Sequence, residues 1–262
     1  MTINNMVRNE MSPAMMRLAS GQRINSAADD AAGLAIAEDM SAQIRGLDQG
    51  TRNTMDMQAM INTAEGGLDG VSDSLQRIRE LSVQAGNGTL SASQREMIQE
   101  EIGQLAQGIQ SAVEGTEFNT MSLLDGSVQG ANTASSPDGT GAIVNINDMS
   151  SLAQAVTSFN VAGADFDISE IDAAISDVAG ERANLGALSN RMDYTIGANT
   201  LSSLNLADSR SRIADADMAE EALNLEQDRV ISNLQILMQQ QEQQRVEEQG
   251  QQLLVAAGAV AQ

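Results

Sequence analysis

The residues of this chain whose types and spacing could do acid–base chemistry are carboxylates. Asp29 and Asp30 stand side by side in the run 18–40, LASGQRINSAADDAAGLAIAEDM, shortly after the triplet Arg23-Ile24-Asn25. Paired carboxylates can share a proton or hold a cation when a nucleophile, base or ligand partner accompanies them. None accompanies this pair. The 262 residues include no His and no Cys. That removes the commonest general base, the commonest metal ligand, disulfides and thiolate sites. Asp29 and Asp30 therefore read as charges at a helix start or at an intersubunit contact. Ala31, Ala32, Leu34, Ala35 and Ala37 continue a helix, and small residues at that density let backbones approach closely.

Composition narrows the function further. The formal net charge is −22, and all 14 basic residues are Arg. Binding to a nucleic-acid backbone needs clustered positive charge, which this balance disfavours. The acidity reads as solubility and mutual repulsion, or as adaptation to saline or alkaline surroundings. Aromatic residues make up 2% of the chain, so Ala, Leu, Ile, Val and 15 Met must supply any core. The opening MTINNMVRNEM has no apolar core region of a signal peptide and no small-residue cleavage site. No run approaches 18 apolar residues, so no membrane insertion is expected.

The elements that must position these residues are long helices. Thr54, Met57, Ile61, Ala64, Leu68, Val71, Leu75 and Ile78 alternate spacings of three and four. Leu47 and Gly50 extend the series backwards, and Ser82 and Ala85 extend it forwards. This is the seam of a coiled-coil-like helix. Gly86, Asn87 and Gly88 are expected to stop it through left-handed backbone. A second helix starts near Ser91 or Ser93, with Glu96 placed to close a capping box on Ser93. Its stripe is Ile98, Ile102, Leu105, Ile109 and Ala112, Gly115 ends it, and the short connection makes it antiparallel to the first. A third helix from about Ser169 carries Ile171, Ile175, Val178, Leu185, Met192, Ile196, Leu206 and Ile213, with Arg182 and Arg210 on core positions.

The pattern shifts near 215–218, and a last helix carries Leu223, Val230, Leu234 and Leu237. Its centre, QQQEQQRVEEQGQQ at 239–252, is nearly devoid of apolar residues; the apolar stretch 253–260 follows. Pro13 sits in an irregular start. Pro137 sits in loop-like sequence at 125–148, where Val144 and Ile146 alternate with Asn145 and Asn147 as in a short hairpin. The fold class is mainly α: an elongated antiparallel helical bundle or coiled-coil rod, with paired terminal helices and a small β-hairpin or loop region in the middle. Exposed stripes on such a rod mean partners.

Four stretches resemble bacterial flagellins: the opening segment with Arg23-Ile24-Asn25 and DDAAGLAI at 29–36; IRGLDQGTRNTMDMQAMINTAEGGLDGVSDSLQRIRELSVQAGNGT at 44–89; EFNTMSLLDG at 117–126; and LGALSNRMDYTI with SRSRIADADMAEE, within 185–221. The chain is similar to a short form with a minimal central variable region. The resemblance implies an extracellular filament subunit, not an enzyme, without cofactors. It would be exported unfolded by the flagellar type III apparatus and would polymerise with itself. It implies inner-tube terminal helices at 1–36 and 217–262, a helical rod domain at 37–126 and 166–216, and a short variable surface loop or hairpin at 127–165. Its partners would be further copies, an export chaperone, a cap protein and a host Toll-like innate receptor.

The family's receptor-contact motif resembles Gln76, Arg77, Leu81 and Gln84, with Glu101, Ile171 and Ile175. Read from the residues alone, Leu81, Ile171 and Ile175 are packing positions and Arg77 is a solvated or intersubunit Arg. The assembly candidates are Arg23, Ile24, Asn25, Asp29, Asp30 and Leu34, with Leu223, Val230, Leu234 and Leu237. The tail after about Leu225 departs from the family in its Gln/Glu-rich content. A hook–filament junction protein of the same architecture is the alternative.

Overall fold

The computed structural model describes residues 13–163 and 166–259, with side chains as far as residue 251. Expectations for residues 1–12 and for the side chains of the apolar stretch 253–260 lie outside the described residues. The chain is mainly helical: α1 (13–20), α2 (Ala31–Ala85), α3 (Ala92–Gly115), α4 (Ser150–Ser158), α5 (Ser169–Ala214) and α6 (Met218–Ala259). Four two-residue strands lie between α3 and α4: β1 (Glu117–Phe118), β2 (Met121–Ser122), β3 (Ala131–Asn132) and β4 (Ile143–Val144). Pro13 is helical, within α1, and not in an irregular segment. The chain divides into two compact units, one within Met1–Ser41 and Leu206–Gln262, the other Ala42–Asn205.

In the second unit the seam of α2 is buried as its spacing dictates. Ile61, Ala64, Leu68, Val71, Leu75 and Ile78 are inaccessible to solvent, and Thr54 and Ser82 are buried among them. The two hydroxyls do not cost the core an unpaired donor: Thr54 Oγ1 donates to Gly50 O at 2.7 Å and Ser82 Oγ to Ile78 O at 2.7 Å. The helix ends at Ala85 without left-handed residues, which corrects the expected mechanism. Asn87 makes the turn, its Oδ1 accepting from Thr89 N at 3.1 Å, and Arg95 Nε donates to the terminal carbonyl of Ala85 at 3.1 Å. The cap of α3 is also corrected. Ser91 accepts from Gln94 N, and Gln94 Oε1 accepts from Ser91 N at 2.9 Å. Ser91 and Ser93 offer the same motif; the chain uses the one nearer the turn.

α3 runs antiparallel to α2: Arg95 reaches Ala85, Glu101 reaches Arg77, and Thr116 lies on Gly67. Its fully buried positions are Ile98, Ile102, Ala106, Ile109 and Val113, whereas Leu105 and Ala112 pack at the margin. α5 returns antiparallel along the other side of α2. Arg182, expected on a core position, is half-buried and pairs with Asp69 at 2.8 Å. Arg210, in the first unit, is half-buried with Nη1 3.4 Å from Ser41 Oγ.

The middle of the chain is more than loop. Val128, Val144, Ile146, Met149, Leu152, Val156, Phe159 and Val161 all join the core of the second unit. The β3–β4 connection lies on α2 and α5. Ser135 O accepts from Asn199 Nδ2 at 2.7 Å, Ala134 O accepts from Asn53 Nδ2 at 3.1 Å, the Ser135 carbonyl sits over Gly50, and Pro137 sits over Gly46. A glycine at a seam position is thus explained: a Cβ at Gly50 would collide with the Ser135 carbonyl. Asn147 fastens the other flank by donating its Nδ2 to buried Glu181 at 2.6 Å. Two of the three Phe residues meet edge to face, Phe159 and Phe166, with ring centroids 6.2 Å apart.

Candidate assembly and receptor-contact surfaces

In the first unit, the triplet Arg23-Ile24-Asn25 forms a joint with the link between α5 and α6. Gln22 and Asp215 make an antiparallel bridge. Arg23 N donates to Ala214 O at 2.7 Å, Arg23 Nη2 donates to Ile213 O at 2.5 Å, and Ala216 N donates to Gly21 O at 3.0 Å. Ile24 is buried, and a Cβ on Gly33 would stand 2.8 Å from its Cδ1, so the glycine in DDAAG makes room for it. Asn25 is half-buried and donates from Nδ2 to Gln22 O at 3.1 Å.

The two aspartates have separate local tasks. Asp30 caps α2, its Oδ1 accepting from Gly33 N at 2.8 Å, and Leu34 N donates to Asp30 O at 3.0 Å. Asp29 Oδ2 accepts from Ser26 Oγ at 3.0 Å, Ser26 N at 2.9 Å and Asn25 N at 3.2 Å. The Ser26 hydroxyl, followed by the Ser26 backbone N–H, holds the Asp29 carboxyl below the ordinary carboxylate range. Arg17 lies between Asp29 at 3.8 Å and the buried Glu221 of α6 at 3.4 Å. Sequence reasoning missed this Arg17–Glu221 pair, because no local pattern links residues 204 positions apart. The pocket here, about 320 Å³, is lined by Arg17, Arg23, Ile24, Asp29, Glu220 and Glu221, among others. Within it Arg17 pairs with Asp29 and Glu221, and among the described residues no acidic cluster is arranged to hold a metal ion.

The α6 candidates are open to solvent. Leu223, Val230, Leu234 and Leu237 are each more than half exposed, as are Ile231 and Met238. Among the described side chains of this helix, the buried apolar residue is Leu225. The helix break at residues 215–217 resets the phase of the pattern, which makes Leu223 and Leu225 hard to separate from sequence.

In the second unit, Arg77 and Glu101 meet across α2 and α3. Arg77 Nε and Nη2 donate to Glu101 Oε1 at 3.1 and 2.9 Å, and Nη1 donates to Glu80 Oε2 at 3.0 Å. The bond to Glu101, then that to Glu80, raises the guanidinium pKa above its usual value. Gln76 and Gln84 are exposed on α2 beside this cluster. Leu81 and Ile171 are buried in the core and Ile175 is half-buried against it. A partner docking on the intact unit can therefore touch Gln76, Arg77, Gln84 and Glu101, while Leu81 and Ile171 hold the helices beneath them.

Comparison with known proteins gives a consistent answer. Residues 1–129 match the bacterial flagellin N-terminal helical region, and residues 168–255 match the bacterial flagellin C-terminal helical region. The second match runs through the Gln/Glu-rich stretch. The chain is 39% identical over 237 residues to a flagellin of Halalkalibacterium halodurans, covering 86% of this chain and 85% of that protein. It is 38% identical over 256 residues to a flagellin of Bacillus subtilis, covering 83% and 84%. The crystal structure of Bacillus cereus flagellin is similar at 28% identity, with a TM-score of 0.48 over 56% of this chain and 88% of that one. Among the described residues no helix is long and apolar enough to cross a membrane. The chain belongs to the bacterial flagellin family, and it is a non-enzymatic, structural subunit of the flagellar filament, the organelle of motility.

Proposed function

We propose that this chain polymerises through the apolar face of α6 together with the N-terminal segment. The observation that carries the reading is the run of exposed apolar residues on α6, where Leu223, Val230, Ile231, Leu234, Leu237 and Met238 are each more than half open to solvent. At about 25 cal/mol per Å², covering a few thousand Å² per subunit is ample for a persistent polymer. Contacts between unlike surfaces that do not close on themselves generate a helix of subunits. In this reading residues 1–36 and 217–262 form the inner tube, 37–126 and 166–216 the surrounding helical rod domain, and 127–165 a short surface region.

Family membership supports three further parts of the reading: export of the unfolded chain by the flagellar type III apparatus, handling by an export chaperone, and placement beneath a cap protein. A host Toll-like innate receptor would contact Gln76, Arg77, Gln84 and Glu101 on the free subunit. Polymerisation assays test the assembly part. Deleting residues 1–20 or 240–262 blocks filament growth while leaving the helical signal of the second unit in place; filaments from either truncation contradict it. A receptor reporter assay tests the other part. Purified monomer activates it and Arg77→Ala weakens the response; silence from the monomer, or no difference between the two, contradicts it.

A further inference from the structure

The turn between α2 and α3 holds the chain's one Asn-Gly pair, Asn87-Gly88. Residues 86–89 lie outside both helices and are all exposed. An asparagine side chain ends in an electrophile, the amide Cγ. The backbone nitrogen of the next residue is the nucleophile that can reach it and close a succinimide ring. A Cβ on that next residue crowds the closure, and glycine has none.

The hydrogen bonds of the turn favour the reaction. Asn87 Oδ1 accepts from Thr89 N at 3.1 Å and from Thr89 Oγ1 at 3.0 Å. A bond to the residue two positions on folds the carboxamide forward over the intervening Gly88 nitrogen. Both donors also stand on the oxygen where negative charge develops once that nitrogen adds to Cγ, which is the arrangement of an oxyanion hole. Among the described residues, Gly88 N donates to no group, and neither does Asn87 Nδ2, the leaving group. Asn25 shows the opposite arrangement: the nitrogen that follows it, Ser26 N, is held by Asp29 Oδ2 at 2.9 Å.

From this we infer that Asn87 is a self-modification site, where the folded chain promotes conversion of its own asparagine to aspartate and isoaspartate with water as co-reactant. Gly88 N bonds to Cγ, the Cγ–Nδ2 bond breaks, and Nδ2 leaves as ammonia with the proton that Gly88 N gives up. Water then adds to a carbonyl of the succinimide and reopens it. Opening at the side-chain carbonyl gives aspartate; opening at the backbone carbonyl gives isoaspartate. No electrons are exchanged with another group. Each event adds a negative charge to the turn. The isoaspartyl form also routes the backbone through an extra methylene, which displaces the Asn87 carbonyl from Leu90 N, its donor at 3.1 Å.

Trypsin cuts after Arg79 and Arg95, so a single peptide, 80–95, carries Asn87 as its sole asparagine. The full chain is incubated at mildly alkaline pH, digested and mapped by mass spectrometry, with the excised peptide incubated alone as the unfolded reference. The inference predicts faster conversion of Asn87 in the folded chain than in the peptide. Thr89→Ala removes the hydroxyl donor and slows conversion in the folded chain by about two- to tenfold, the worth of one hydrogen bond. Gly88→Ala, whose Cβ meets nothing within 4 Å, suppresses it with the melting curve unchanged. Conversion no faster in the folded chain than in the peptide, or either variant converting at the wild-type rate, overturns the inference.

Discussion

Arg79 Nε donates to Asp172 Oδ1 at 2.6 Å, and this bond is one of four evenly spaced links between α2 and α5. The others join Asp69 to Arg182 at 2.8 Å, Gln58 to Asp193 at 2.7 Å and Asp48 to Ser203 at 2.9 Å. Each step of 10 or 11 residues along α2 is matched by an equal step back along α5. Such a step is about three turns at 3.5 residues per turn, the winding of a left-handed coiled coil. On α2 each link follows directly on a seam residue: Leu47, Met57, Leu68 or Ile78. The links border the apolar seam and mark its register.

Register marks on a solvated edge contribute little to stability individually. Reversing Arg182 to Asp loses about 0.2–1 kcal/mol in excess of lost packing, as exposed pairs do. The double reversal Asp69→Arg with Arg182→Asp restores part of it. A double-mutant cycle by urea denaturation checks this; strict additivity of the two single changes would show that the pair is idle.

Gly50 sets how closely the β3–β4 connection approaches α2. Gly50→Ala gains up to about 1 kcal/mol of helix propensity and loses about 1–3 kcal/mol to crowding against the Ser135 carbonyl. The net expectation is destabilisation, with faster proteolytic cutting near Pro137. Gly70→Ala is the control, because a Cβ there meets nothing within 4 Å; it should stabilise. Denaturation curves and limited proteolysis of both variants decide the point.

The β1–β2 hairpin turns through Asn119 and Thr120, at φ 49° and 64°. Positive φ at both central residues is the turn that matches the twist of a two-residue hairpin, and Asn-Gly fits it best. Thr, β-branched, fits it poorly. Thr120→Gly should raise stability by about 1–2 kcal/mol, measured as a rise in the urea midpoint without a change in slope. A fall in midpoint would show that the threonine side chain matters more than backbone strain.

Acid should act on turns. Asp29, Asp125, Asp138 and Asp167 all have carboxyl pKa values lowered chiefly by hydrogen bonds from Ser26, Ser127, Thr140 and Ser169 respectively. A group whose pKa is lower in the folded state than in the unfolded chain stabilises above the unfolded value, about 3.9 for Asp. That contribution disappears as pH falls through the folded value. Thermal melts should therefore be flat from about pH 5 to 9, since no His or Cys titrates there, and should drop below about pH 4. A transition near pH 6–7 would contradict this.

The seam of α2 was legible because its spacing is strict from Leu47 to Ala85, and even Gly50, Thr54 and Ser82 declared themselves by position. The Arg23–Asn25 segment was legible as an element but not in its contacts, since its partners at 213–216 lie some 190 residues away. In the middle region a short hairpin or loop with alternating Val144 and Ile146 was legible, but the burial of Val128 and Val161 was not, because it comes from tertiary contact in segments too short to carry a period. In α3, Leu105 was legible as part of the stripe, but Ala106 takes the buried position and Leu105 packs at its margin. Leu81 and Ile171 were legible as packing positions, Ile171 from the stripe of α5 and Leu81 as an apolar residue beside the α2 seam series.

The account's central claim is that the exposed apolar face of α6 drives assembly. Negative-stain electron microscopy of the purified full chain, concentrated at about 0.15 M salt to screen its charge, tests it most directly when run beside the double variant Leu234→Asp, Leu237→Asp. The account predicts long tubes from the wild type and none from the variant, with equal circular dichroism of the two monomers. Tubes from the variant at the same concentration, or none from the wild type under any salt, would contradict it.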